Sequence, residues 1–103
     1  MAVWFVSRHQ GAGEWFKKQG IDVGRQVEHL HTDEIQADDI VIGSLPVNLV
    51  AEICDRGGRY VHLSLDLPRD WRGKELSPDD MERFHARLEE YHVIAIHSER
   101  PFA

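Results

Sequence analysis

The sequence predicts an α/β fold with an open, mostly parallel sheet and helices on both faces of that sheet. Short apolar runs at 2–6, 40–42 and 59–65 have the composition of strands that are buried on both faces. Helical patterns at 12–19 and 47–56 separate these runs along the chain. Alternating strands and helices are typical of a parallel sheet, and right-handed crossovers place the helices on both of its faces.

The ends of the first two helices are marked in the sequence. Glu14 and Lys18 lie four residues apart in the first helix, which ends at Gly20, and the second helix ends at Gly57. Glycine is the usual residue just beyond a helix C-terminus. Between the first helix and the next strong strand, imperfect alternation at 26–30 gives a weaker strand prediction.

The last third of the chain predicts one more helix and one more strand. The helix starts at 77–80, where a serine N-cap precedes a proline and two acidic residues. A single apolar stripe then follows at helical spacing, formed by Met81, Phe84, Leu88 and Tyr91. The run at 93–96 is the last strand candidate, and we expect the tail at 99–103 to fray.

Length and composition limit the class of protein. A chain of 103 residues, 42% of them apolar, suits a single domain over residues 1–103. The formal net charge of -6 argues against a protein that coats DNA or RNA, because such a protein needs a basic face. With Cys54 alone, no disulfide can form within the chain, and no apolar run approaches the roughly 20 residues of a membrane span. We therefore expect a cytoplasmic protein.

Open α/β sheets bind ligands in the loops that follow the carboxyl ends of their strands. This rule selects three segments, at 7–11, 43–48 and 64–66. In the first segment, Ser7 offers a hydroxyl, Arg8 a planar guanidinium that matches phosphate, and His9 a group that exchanges protons near neutral pH. Gln10 and Gly11 follow, and a glycine just before a helix lets an anion approach the backbone. The alternative interpretation is an ordinary turn with an exposed basic pair.

The second segment places a free backbone and a hydroxyl, those of Gly43 and Ser44, at a strand end, and Pro46 then enters the next helix. A tight strand-to-helix turn without a ligand is the alternative. The charged run at 69–75 is interpreted as a solvated loop, or as a lid over the pocket with Trp71 as its covering side chain.

Three further patterns predict neither a catalytic triad, nor a metal site, nor a cofactor site. Ser64 and Asp66 share a strand face with His62, but there is no G-x-S-x-G elbow and residues two apart on one strand point in parallel, so no catalytic triad is predicted. His62 is interpreted as a packing or interface histidine. His29 and His31 lack a third metal ligand at a recognised spacing, so no metal site is predicted. The dinucleotide fingerprint is incomplete, so no cofactor is predicted.

Four stretches carry a resemblance to a known family. They read V-W-F-V-S-R-H-Q-G-A at 3–12, D-D-I-V-I-G-S-L-P-V-N-L at 38–49, R-Y-V-H-L-S-L-D-L-P at 59–68 and E-L-S-P-D-D-M at 75–81. In this order they resemble one of the short "Csx" accessory families of type III CRISPR systems, related in architecture to the CARF (CRISPR-associated Rossmann fold) ligand domains. The resemblance spans residues 2–92, and Gln10 stands where a proline is expected.

The resemblance implies a small Rossmann-like (CARF-like) fold and a ring nuclease activity. Such a protein is a homodimer that binds the second messenger cyclic tetra-adenylate and cleaves it without a metal. A ribose 2′-hydroxyl attacks the adjacent phosphorus and the 5′-oxygen leaves, so the product is a linear adenylate with a 2′,3′-cyclic phosphate. The protein must align this attack and stabilise charge on the phosphoryl oxygens.

The resemblance also implies roles for the candidate residues. Arg8 would grip the reacting phosphate, Ser7 would hold an oxygen, and His9 would act as an acid or a base. The expected ligand contacts are Gln10, Gly11, Gly43, Ser44, Leu45, Pro46, Asn48, Ser64 and Asp66. Two alternatives stay open: a sensor or sponge that binds the ring without cutting it, and a protein-interaction domain with no nucleotide ligand.

Overall fold

Five strands and three α-helices form the fold in the computed structural model, which describes residues 1–7 and 10–96. The strands are β1 (Val3–Val6), β2 (Arg25–Val27), β3 (Ile40–Gly43), β4 (Arg59–Ser64) and β5 (Arg87–Tyr91). The helices are α1 (Gln10–Lys18), α2 (Val47–Asp55) and α3 (Pro78–Arg83). None of the helices in this described part has the length and apolar character that crossing a membrane requires.

The strands form one sheet in the order β2-β1-β3-β4-β5. Strand β1 is parallel to β2 and β3, β3 is parallel to β4, and β5 is antiparallel to β4. The direction of winding therefore reverses at β1, and this reversal opens a crevice at the carboxyl ends of β1 and β3. The predicted open, mostly parallel sheet is confirmed.

Helices cover both faces of the sheet because alternate residues of each strand point to opposite sides. On one face, Phe5 and Ile42 pack in a buried cluster with residues of α1 and α3. On the other face, Trp4 and Val41 pack in a second buried cluster with residues of α2. This arrangement confirms the prediction of a small Rossmann-like fold.

The three helices end in the same way, with a residue of positive φ just beyond the last turn. Gly20 and Gly57 take this position after α1 and α2, with φ of 74° and 85°. After α3 the position belongs to His85, with φ of 58°. The N–H of His85 donates to the carbonyl of Glu82, and the N–H of Ala86 donates to that of Met81. These two bonds are those of a Schellman motif, in which a histidine is uncommon.

The last third of the chain corrects the sequence prediction. Helix α3 stops at Arg83, and Leu88 and Tyr91, which continue its apolar stripe, belong to the antiparallel strand β5. The strand predicted at 93–96 is wrong, because Ile94 and Ile96 are 74% and 90% exposed and residues 92–96 form no strand. The turn at His85 instead places the charged segment Arg87–Tyr91 beside β4. The predicted fraying at 99–103 lies outside the described residues.

Candidate functional site at the carboxyl edge of the sheet

The carboxyl ends of three neighbouring strands meet at one edge of the sheet. Ser7 follows β1, Ser44 follows β3 and Ser64 ends β4. The N–H of Ser7 donates to the carbonyl of Val27 at 3.0 Å, which fixes the chain as it leaves β1. The structure therefore places all three predicted serines at the same edge, as the parallel pairing requires.

A first cavity, of about 300 Å³, opens at this edge between the sheet and the connection from β4 to α3. Ser7, Gly43 and Ser44 line it from the sheet, and Gly73 and Lys74 line it from the connection. We call it the Ser7 cavity. Its volume lies at the lower end of the usual range for ligand pockets, roughly 300 to 1,000 Å³.

A second cavity, of about 430 Å³, adjoins the first and shares Ser44 with it. Its other polar lining residues are His62, Ser64 and Arg72, and we call it the His62 cavity. The Ser44 hydroxyl donates to the carbonyl of Leu63 at 2.7 Å, so its oxygen is held at the boundary between the two cavities. Hydroxyls and cationic side chains at one edge form a surface suited to phosphate.

A hydrogen-bond network around Tyr60 ties the turn before α2 to β4. The Tyr60 hydroxyl donates to the carbonyl of Gly43 at 2.9 Å and accepts from the N–H of Leu45 at 3.0 Å. It also lies 2.7 Å from Nδ1 of His62. Burial raises the pKa of Tyr60, so the phenol keeps its proton at neutral pH. The carbonyl of Gly43 and the N–H of Leu45 are therefore committed to the protein.

The structure does not describe two of the residues with predicted catalytic roles. Arg8 and His9 lie outside the described residues, as does the side chain of Gln10, and their roles stay predictions. Gly11 packs tightly: a Cβ at this position would overlap the carbonyl oxygen of Leu76. The structure thus accounts for Gly11 through the contact of α1 with the segment before α3.

The predicted ligand contacts Asn48 and Pro46 do not line the paired cavities. Asn48 lines a different groove, of about 540 Å³, between α2 and the segment that follows β5. Pro46 is the exposed N-cap residue of α2, whose first N–H groups therefore have no side-chain cap. Contact of either residue with a ligand stays a prediction that this geometry does not favour.

Asp66 is engaged by the turn between α3 and β5. Its carboxylate accepts from Nη1 of Arg87 at 3.0 Å and lies 3.2 Å from Nδ1 of His85. The Arg87 guanidinium, helped by His85, holds the pKa of Asp66 below its usual range. The N–H of Asp66 also donates to the carbonyl of Phe84, so this residue fastens the end of α3 to the end of β4.

The charged loop between β4 and α3 contributes to both cavities through its central residues. Arg72 lines the His62 cavity, while Gly73 and Lys74 line the Ser7 cavity. The Trp71 ring does not serve as the expected cover: it packs edge-on against Phe84 with ring centroids 5.1 Å apart. Gly73 has a φ of 80°, which gives the loop its sharp bend. A lid movement of this loop stays a prediction.

The range from β1 to β5 matches one family model, Cas_VVA1548, described as "putative CRISPR-associated protein", over residues 4–94. The chain belongs to this family. The expected association with CRISPR systems is thereby confirmed, and the matched residues include both cavities. Searches of curated proteins and of solved structures gave no significant match.

Sequence reasoning missed two residues of the site in this CRISPR-associated protein, His62 and Arg72. Alternation puts His62 on the strand face of Ser64, but the sequence pattern alone favours a packing or interface histidine over a ligand contact. The Tyr60 hydroxyl bonds to His62 although side chains two apart on one strand point in parallel, and the return of Arg72 to the sheet edge depends on packing that no local pattern reveals. Among residues 1–7 and 10–96, no three His, Cys, Asp or Glu side chains are grouped to hold a metal ion.

Proposed function

We propose that this CRISPR-associated protein is a ring nuclease that binds cyclic tetra-adenylate at the carboxyl edge of its sheet and cleaves it without a metal. The observation that carries the proposal is the pair of adjoining cavities beside the reversal of winding, where such sheets usually bind ligands. Membership of a CRISPR-associated family supports the proposal, because type III CRISPR systems signal through cyclic oligoadenylates.

The charges of the described residues agree with a phosphate ligand. The whole chain carries a formal net charge of -6, so an anionic ring needs a local concentration of positive charge. Arg72 and Lys74 supply that charge, one in each cavity, and Ser44 lies between them. In the proposal, these groups hold the phosphates while Arg8 contacts the phosphate that reacts.

The size of the cavities favours a homodimer. Each cavity has the volume of a pocket for one small ligand group, and a ring of four nucleotides is several times larger than such a group. Two copies related by a two-fold axis would present matching sites to a symmetric ring. The proposed active form is therefore a dimer whose two carboxyl edges face the same ligand.

The experiment that tests this function incubates the pure protein with cyclic tetra-adenylate in the presence of EDTA and separates the products by chromatography. The proposal predicts conversion of the ring to linear adenylates. Tight binding with an unchanged ring would instead establish a sponge or sensor. Neither binding nor cleavage would favour a protein-interaction domain and would overturn the proposal.

A further inference from the structure

We propose that His62 is the catalytic base of this site and that Tyr60 is the positioning residue that sets its protonation. In this inference, Nε2 of His62 accepts the proton of the attacking 2′-hydroxyl, and the Tyr60 hydroxyl holds Nδ1. The inference rests on the proposed ring nuclease function and gives the proton-accepting role to His62, where the family resemblance implies only that His9 is an acid or a base.

The protonation of His62 follows from the three contacts of the Tyr60 hydroxyl. A phenol has one proton to donate, and the carbonyl of Gly43, at 2.9 Å, can only accept one. The N–H of Leu45 can only donate. With its proton on Gly43, the Tyr60 oxygen can bond to Nδ1 of His62, at 2.7 Å, only as an acceptor. All three contacts of the hydroxyl are satisfied together only when Nδ1 carries a proton, and in the neutral ring Nε2 then carries the lone pair.

The position of the His62 ring suits proton transfer to a ligand. His62 is half-buried, lines the cavity it shares with Ser44 and Arg72, and packs edge-on against Tyr91 with ring centroids 6.0 Å apart. No hydrogen bond joins Nε2 to any of residues 1–7 or 10–96 in the structure. Tyr60 and Tyr91 thus fix the ring between them, while Nε2 keeps its capacity to accept a proton.

Within residues 1–7 and 10–96, no charged group forms an ion pair with the His62 imidazole. Glu89 lies opposite His62 in the register of β4 and β5. Its carboxylate is engaged by Nε of Arg87, at 3.4 Å, and by the Tyr91 hydroxyl, also at 3.4 Å. Arg72 faces the same cavity from the loop. The imidazole therefore lies between an occupied carboxylate and a cation that can hold phosphate.

The proposed step balances without a metal or a further reactant. Nε2 of His62 takes the proton of the 2′-hydroxyl while the 2′-oxygen forms a bond to the adjacent phosphorus. The bond from phosphorus to the 5′-oxygen breaks, and that oxygen takes a proton from water. The imidazolium then returns its proton to the hydroxide, which leaves a 2′,3′-cyclic phosphate and a 5′-hydroxyl.

Single-turnover cleavage of cyclic tetra-adenylate, measured against pH, tests the role of His62. His62→Gln should slow cleavage by about 100-fold or more, the usual scale for losing an acid-base residue, and should leave ring binding within a few-fold. The wild-type rate should depend on pH because Nε2 must be free to accept a proton, and this dependence should vanish in the variant. His31→Gln, which changes an exposed histidine before the 3-10 turn at Thr32–Glu34, is the matched control and should cleave at the wild-type rate.

Side-chain ¹⁵N NMR of His62 tests the role of Tyr60 independently of activity. The wild type should show the Nδ1–H tautomer, and Tyr60→Phe should lose that preference and displace the pH profile of cleavage. A wild-type Nε2–H tautomer would overturn the inference, even if Tyr60→Phe fails to fold. If the wild type cleaves the ring and His62→Gln does so equally well, the inference alone fails. If the wild type does not cleave the ring, both the proposed function and the inference are wrong.

Discussion

Gly11 in the first turn of α1 lies directly against the main-chain carbonyl of Leu76, with no space for a side chain between them. This contact joins the helix that follows β1 to the segment that enters α3. Both segments border the Ser7 cavity, through Ala12 and through Leu76 itself. The spacing of the two backbones therefore sets one wall of the candidate site.

Gly11→Ala should destabilise the protein by about 1 to 3 kcal/mol, the usual cost of overfilling a packed site, because two backbones must separate. Gly13→Ala in the same helix is the matched control. Its Cβ would meet only the flexible end of the Gln26 side chain, so the better helix propensity of alanine should leave stability unchanged or raise it by up to about 1 kcal/mol. Urea unfolding measures the free energy of unfolding of both variants. Equal changes in the two variants would contradict the close contact between Gly11 and Leu76.

Asp39 should contribute to stability in a pH-dependent way. Its buried carboxylate accepts from the N–H groups of Ala2 and Gln36 and from the indole of Trp4. The backbone N–H groups of Ala2 and Gln36, in that order, lower its pKa from 3.8. A folded-state pKa below the unfolded value means that this stability is complete above pH 3.8 and is lost as the pH falls through the folded value.

Asp39→Ala should therefore cost about 3 kcal/mol at neutral pH, because it leaves buried donors without partners. The cost should shrink in acid, where the wild type loses the same interaction. Urea unfolding at pH 7 and below pH 3.8 measures the difference. The exposed neighbour Asp38, which has a φ of 69° that asparagine tolerates, provides the control Asp38→Asn. A loss that is the same at both pH values would contradict this account.

Arg8→Ala should slow cleavage of cyclic tetra-adenylate by roughly two to three powers of ten, the scale for removing one electrostatic stabiliser of a transition state. Binding should weaken by less, since other phosphate contacts remain. Arg8→Lys restores the charge without the planar fork, so it should rescue the rate only in part. Single-turnover kinetics with the fold checked by circular dichroism decide the matter, and a near-wild-type rate for Arg8→Ala would show that Arg8 is not catalytic.

The oligomeric state should be a dimer, both free and with cyclic tetra-adenylate bound. The physical reason is the small concave surface that one chain offers to a four-nucleotide ring. Multi-angle light scattering at several protein concentrations measures the mass. A monomer in both conditions would contradict the proposed dimer with its ligand site on the two-fold axis.

The central strands of the sheet could be predicted because a short, continuous apolar run is typical of a strand that is buried on both faces. The end of α3 could not be predicted, because the spacing of Met81, Phe84, Leu88 and Tyr91 fits a longer helix. His85 takes the left-handed conformation that ends α3, and a histidine, unlike a glycine, does not indicate such a turn in the sequence. Residues 87–91 read as a charged helical face but form an edge strand. Its polar residues remain in contact with water there.

The site was predictable in position but not in composition. The carboxyl-edge rule placed Ser7, Ser44 and Ser64 at one edge of the sheet, because parallel strands end together. It could not show that Asp66 bonds to Arg87, since that pairing exists only once β5 lies beside β4. The ring contact between His62 and Tyr91 likewise exists only once β5 lies beside β4.

The central claim is cleavage by an internal 2′-hydroxyl, and ³¹P NMR of the product tests it most directly. Excess protein is mixed with cyclic tetra-adenylate and EDTA, and spectra are taken from the first turnover onward. The account predicts that the resonance of a five-membered 2′,3′-cyclic phosphate appears as the first product. An unchanged ring, or a linear product that carries only a terminal phosphate monoester from the first time point, would contradict it.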